Sequence, residues 1–220
     1  MIYTNLANDY VARDLPEQAA PLYLKALELA PHLHDTHTNA GSVYGMRGDY
    51  PRAIDEFRKA IAINPEFAPA YYNWGQVYER QHQPDDALAM YRKALALKPF
   101  YPEANYRLGR ILASRGNEDE AIEHFRAAVT YNPDYADAHN DLAVLLIKRR
   151  QFDEAMANLV EALRVQPRNV EAWTNLGSAQ LQTGHLEDAL DSFNRALQLN
   201  PTFPPATAGS AAVQKLMQRK

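Results

Sequence analysis

Residues 53–65 read AIDEFRKAIAINP, residues 87–99 read ALAMYRKALALKP, and residues 121–133 read AIEHFRAAVTYNP. Each stretch has alanine at its first and eighth places, an aromatic at its fifth and proline at its end, and each begins 34 residues after the one before. The pattern extends both ways along the chain. Proline recurs at Pro31, Pro65, Pro99, Pro133, Pro167 and Pro201. Alanine recurs at Ala19, Ala53, Ala87, Ala121, Ala155 and Ala189, and again at Ala26, Ala60, Ala94, Ala128, Ala162 and Ala196. Between them stand Tyr23, Phe57, Tyr91, Phe125, Leu159 and Phe193. At an ordinary proline frequency of about 5%, six prolines in one phase arise by chance with a probability of roughly 10⁻⁸. Self-similarity at this period is the signature of a stacked repeat.

With each proline numbered 32, position 7 reads Leu6, Ala40, Trp74, Leu108, Leu142 and Leu176, and position 8 reads Ala7, Gly41, Gly75, Gly109, Ala143 and Gly177. Position 11 begins as Tyr10, Tyr44 and Tyr78, then drifts to Leu112, Leu146 and Gln180. These residues resemble the tetratricopeptide repeat family, whose unit is a 34-residue helix–turn–helix. The resemblance runs from residue 1 to 203 without a gap. It implies an all-α, right-handed superhelical solenoid of six helical hairpins, 1–33, 34–67, 68–101, 102–135, 136–169 and 170–203, followed by a capping helix over 204–220. The end of that cap is polar: Gln214, Lys215, Gln218, Arg219 and Lys220.

The residue types have physical reasons. Small residues at positions 8, 20 and 27 let helix backbones approach, and bulky residues at 7, 11 and 24 fill the space between hairpins. Gly48, Gly116 and Gly184 fall where a left-handed residue ends the first helix, and His82 and Arg150 take that place in two repeats, predicting strained turns. Asp49, Asn117 and Asp153 are candidate caps for second helices. Pro51 and Pro84 lie near helix starts, where proline costs least. Pro21 lies about a turn into its helix and predicts a late start or a bend.

In the family, the first helices line a concave groove with positions 2, 5, 6, 9, 12 and 13. Position 6 reads Asn5, Asn39, Asn73, Arg107, Asp141 and Asn175. This is similar to the asparagine ladder of the O-GlcNAc transferase superhelix. An amide both donates and accepts, so such a ladder can hold the backbone of an extended peptide; the competing reading is that the amides bond the neighbouring helix or water. Tyr72, Gln76 and Arg80 of the third repeat, Tyr106, Arg107 and Arg110 of the fourth and Asn140 of the fifth complete the candidate groove. Tyrosine and arginine are common binding anchors, and arginine grips carboxylate or phosphate bidentately. The alternative for these arginines is a solvated surface paired with Glu79, Glu103 and Asp137. The lysine-rich pattern that clamps chaperone tails is absent: its best register reads Thr38, Ser42, Asn73, Glu103, Arg107.

Composition excludes other classes. There is no cysteine, which removes disulfides, thiolate catalysis and thiolate-held zinc. A net charge of −4 argues against general nucleic-acid binding. No apolar run is long enough to span a membrane, and residues 1–18 do not form a signal peptide. His32, His34 and His37 cluster, but His32 and His34 fall in a turn and His37 in the packing position 4 that Tyr71 and Trp173 fill elsewhere, so no metal is implied. No catalytic constellation and no cofactor site emerge. The sequence therefore predicts a soluble, non-catalytic scaffold for a protein or peptide partner, the cytoplasm being slightly favoured and the near-in-phase start suggesting a piece of a larger protein. Two alternatives stand beside it: the substrate-recruiting region of a larger enzyme such as a protein glycosyltransferase, and self-association through Leu6, Tyr10 and Tyr23 of the first hairpin.

Overall fold

The alternation of small and bulky positions produces helices and nothing else. The computed structural model describes residues 2–218, and among them every regular element is a helix. In order these are α1 (Ile2–Ala12), α2 (Pro16–Leu29), α3 (His34–Met46), α4 (Tyr50–Ile63), α5 (Ala68–Arg80), α6 (Pro84–Leu97), α7 (Pro102–Ser114), α8 (Glu118–Tyr131), α9 (Ala136–Lys148), α10 (Phe152–Val165), α11 (Val170–Gln182), α12 (Leu186–Leu199) and α13 (Pro204–Met217). The chain forms two compact units, residues 1–111 and 112–220. In the first, α1 packs on α2, α3 on α4 and α5 on α6, with α2 against α3 and α4 against α5. In the second, α9 packs on α10 and α11 on α12, with α8 against α9, α10 against α11 and α12 against α13.

The small residues at position 8 are there because an aromatic lies over them. A Cβ on Gly41 would sit 2.7 Å from the Phe57 ring, one on Gly75 2.6 Å from Tyr91, and one on Gly177 3.0 Å from Phe193. Ala19, Ala53, Ala87, Ala155 and Ala189 have no exposed surface. Each first helix closes with a backbone N–H reaching back five residues, as in Asp49 to Tyr44 at 2.9 Å and His185 to Gln180 at 2.9 Å. The residue before that donor needs positive φ. Gly48, Gly116 and Gly184 supply it freely, whereas Asp14, His82 and Arg150 adopt φ of 58°, 57° and 60° with a side chain, so the strained turns expected at His82 and Arg150 are present and Asp14 adds a third.

Two capping expectations are corrected. Asp49 accepts from the Arg52 N–H at 3.4 Å, but the Asn117 side chain makes no cap bond, and Asp153 lies inside α10 behind Gln151. Pro21 does not delay its helix: α2 starts at Pro16 and runs through it. Tyr23, expected at an exposed surface, is buried, while Leu6 is exposed and Tyr10 half-buried. α13 packs Ala206, Ser210 and Val213 inward and leaves Gln214, Lys215 and Gln218 exposed; Arg219 and Lys220 lie outside the described residues.

Position 4 is more than packing. His37 Nε2 lies 3.0 Å from the Pro31 carbonyl, Tyr71 donates to Pro65 at 3.2 Å, Asn105 to Pro99 at 3.1 Å and Trp173 to Pro167 at 3.0 Å, while His139 Nε2 lies 3.0 Å from the Pro133 carbonyl. Four side-chain chemistries thus perform one task. They satisfy a carbonyl left over where the second helix ends, and so fix the turn between hairpins.

Candidate functional site

Within the first unit, the predicted groove residues lie on α1, α3, α5 and the first turns of α7. The asparagines of position 6 are not equivalent there. Asn39 is half-buried and donates Nδ2 to Asn8 Oδ1 at 3.1 Å. The Tyr23 hydroxyl also donates to Asn8 Oδ1, so Asn8 is a fixed acceptor. Asn73 meets no such acceptor. The matching place on α3 is Ser42, whose hydroxyl donates to the Thr38 carbonyl at 3.0 Å. Asn73 and the exposed Asn5 make no side-chain hydrogen bond among the described residues. In the second unit, Asn175 donates Nδ2 to Asn140 Oδ1 at 3.0 Å, and Asn140 Nδ2 lies 3.4 Å from Asp141 Oδ1. The ladder therefore offers two unspent amides where the sequence shows four asparagines.

The tyrosines and arginines of α5 and α7 are brought together. The Tyr72 ring lies 4.9 Å from that of Tyr101 and 5.7 Å from that of Tyr91. Gln76 Nε2 donates to the Tyr72 hydroxyl at 3.0 Å. The buried Tyr91 hydroxyl donates to the Glu79 carboxylate, which also meets Arg107 Nη1 at 3.5 Å. Burial pushes the hydroxyls of Tyr72, Tyr91 and Tyr101 above their ordinary range, so all three are donors at neutral pH. Burial disfavours the charge of Arg107, but the Glu79 carboxylate and the Tyr72 and Tyr91 hydroxyls together outweigh it and Arg107 stays charged. Its Nε is buried without a partner. Tyr106 is buried, and Arg110 stacks over its ring at 5.8 Å. Arg110 and Arg80 are exposed and carry no ion pair among the described residues.

A second feature lies beside Asn39. Asn8, Val11, Ala12, Tyr23, Asn39, Ser42 and Val43 line a cavity of about 330 Å³ between α1, α2 and α3. Its wall is uncharged. The free lone pair of Ser42, the second N–H of Asn39 and the amide N–H groups of Asn8 are polar groups at its edge. Elsewhere, among the described residues no three of His, Cys, Asp or Glu gather as metal ligands. No described helix is long and apolar enough to cross a membrane.

A family model described as "Tetratricopeptide repeat" matches residues 72–138, 116–157 and 140–204, and one described as "TPR repeat" matches residues 43–82. The chain belongs to the tetratricopeptide repeat family. No curated protein matches it in sequence. Among solved structures, it is similar to Pseudomonas aeruginosa PilF at 22% identity and TM-score 0.84, over 96% of each chain. It is similar to YrrB, described as a TPR protein with an unusual peptide-binding site, at 23% identity and TM-score 0.73, over 86% of this chain and 97% of that one. PilW, a type IV pilus biogenesis factor, is 23% identical with TM-score 0.72, over 94% of this chain and 96% of that one. At such identities the likeness is one of fold.

Three site residues of this tetratricopeptide repeat chain stand at groove positions 9 and 12 yet are absent from the candidate groove above, Glu79 being read there only as an ion-pair partner for the arginines. Asn8 anchors Asn39, Val11 lines the cavity, and Glu79 holds Arg107 and Tyr91 together. A signal for the first was present. Position 9 of one repeat faces position 6 of the next, and Asn8 with Asn39 is the pair in which two amides meet.

Proposed function

We propose that the chain is a non-catalytic scaffold that binds an extended segment of a protein partner across the inner edges of α1, α3, α5 and the start of α7. One observation carries this reading: Asn73, Arg80 and Arg110 keep unspent donors on α5 and α7, the helix that carries the half-buried Tyr72 and the one after it, whereas Gln76 is tied to the Tyr72 hydroxyl and Arg107 to Glu79. Unspent amide and guanidinium groups next to fixed aromatic rings suit a peptide, because the backbone supplies carbonyls and the rings supply contact area. The peptide-binding site named for YrrB belongs to a protein of the same fold and supports the reading by analogy.

The test is a triple substitution, Asn73→Ala, Arg80→Ala and Arg110→Ala. It breaks no side-chain hydrogen bond or ion pair among the described residues, so helicity by circular dichroism should be unchanged. Retention of a partner from source lysate should fall by at least roughly tenfold, the scale of losing two or three anchors. Equal retention by both proteins would move binding to another face.

A further inference from the structure

The inner face of the first unit carries two chemically distinct receptors. One is the uncharged cavity between α1 and α3, walled by Val11, Ala12 and Val43 over the buried Tyr23 ring. A cavity of about 330 Å³ with an aliphatic wall and no charge suits a branched aliphatic side chain. A charged one would enter without a counter-ion, at a desolvation cost nothing there offsets. Its polar edge, Asn39 and Ser42, is placed to meet the peptide groups flanking such a side chain.

The other receptor is the pair Arg80 and Arg110, exposed guanidinium groups on α5 and α7 with no carboxylate partner among the described residues. The nearest acid by chain position, Glu79, is already spent on Arg107 and the Tyr91 hydroxyl. Glu103 stands in the first turn of α7, seven residues before Arg110, which is about 10 Å along the helix axis. Each of these unpaired guanidiniums is complementary to a carboxylate, which arginine grips bidentately.

The distance between the receptors follows from the packing. α1 touches α3, α3 touches α5, and Arg107 of α7 meets Glu79 of α5. Packed helices stand about 8–10 Å apart. The α1–α3 cavity is therefore about two helix spacings, or 16–20 Å, from the α5–α7 arginines. An extended chain advances about 3.3 Å per residue, so that gap spans about five or six residues.

We infer that this face recognises an extended peptide bearing a branched aliphatic residue and, about five or six residues from it, an aspartate or glutamate. The inference rests on the scaffold reading above and adds the ligand's composition and spacing.

The experiment is selection of a random library of peptides about 12 residues long against the whole chain, followed by affinity measurements on the enriched peptides. The enriched set should pair Leu, Ile or Val with Asp or Glu at that spacing, in one consistent order. Ala12→Trp, which fills the cavity from an exposed position, should weaken the best peptide roughly tenfold and leave a peptide lacking its aliphatic residue unaffected. Arg80→Ala with Arg110→Ala should do the same for the acidic residue, and should flatten the salt dependence of binding. Enriched peptides without the paired residues, bound by the wild type and lost with the triple Asn73, Arg80 and Arg110 variant, would overturn the spacing rule and keep the scaffold reading. No enrichment at all would overturn both.

Discussion

Replacing Glu56 with alanine is expected to destabilise the first unit by about 3 kcal/mol in mildly acidic solution, and by less above neutrality. His37 Nδ1 lies 2.6 Å from Glu56 Oε2, and His37 Nε2 lies 3.0 Å from the Pro31 carbonyl. Both ring nitrogens face acceptors, so both carry a proton and the ring is an imidazolium. Its side chain is 8% exposed and that of Glu56 10%. Around the pair stand Lys59, 2.8 Å from Glu56, and Asp55, 2.7 Å from Lys59. Burial works against the charge on His37, but the bonds to Glu56 and Pro31 outweigh it and raise its pKa above 6.5. Burial likewise opposes the charge on Glu56, but His37 and Lys59 outweigh it and lower its pKa below 4.5.

The signs then fix the pH window. A raised histidine contributes stability that is full below 6.5 and lost as pH rises through its folded value; a lowered carboxylate contributes stability that is full above 4.5 and lost as pH falls through its folded value. The pair is strongest between those limits. Without Glu56, His37 keeps its carbonyl acceptor but must sit as a buried cation or shed its proton. Urea unfolding of wild type and Glu56→Ala near pH 5.5 and near pH 8.5 would show the difference shrinking with rising pH. A difference that is equal at both values would contradict the charged-pair assignment.

Phe193→Ala is expected to cost about 3–5 kcal/mol, with the loss confined to the second unit. The ring is 1% exposed. It lies so close to two glycines that a Cβ would approach within 3.0 Å at Gly177 and 2.3 Å at Gly209. Phe193 thus fills the space that α11 and α13 leave by giving up side chains, and neither helix can collapse into the hole. In a repeat chain each helix is held by its neighbours, so the damage should stay local. Hydrogen exchange should show α11, α12 and α13 losing protection while α3 and α4 keep theirs. Phe193→Ala with Gly209→Leu should recover part of the loss, since a side chain on α13 would then occupy the vacated volume. Uniform loss of protection through both units would mean that the chain unfolds as a single cooperative body.

The helical architecture was legible because backbone approach demands small residues at fixed places. Gly41, Gly75 and Gly177 face Phe57, Tyr91 and Phe193, and one residue type cannot change without the other. Polar chemistry was less legible, because repeat position gives a helix face and not a partner. Asn39 and Asn73 share position 6, yet one is tied to Asn8 and the other is unspent, a difference set by the residue on the helix before. His37 reads as a packing residue, but it and His139, at the same repeat position, each have an acceptor 19 residues later, Glu56 and Asn158, which is the trace their hydrogen bonds leave in the sequence. Asn117 has a good capping residue type, and its side chain still makes no cap bond.

The central claim is that binding uses the inner edges of the first helices. Its most direct test is an amide NMR titration of the whole chain with a peptide taken from the selected library. The account predicts shifts concentrated at residues 8–12, 39–46, 72–80 and 107–110, with α4 and α6 silent. Shifts concentrated in α4 and α6, with those four segments unmoved, would contradict it.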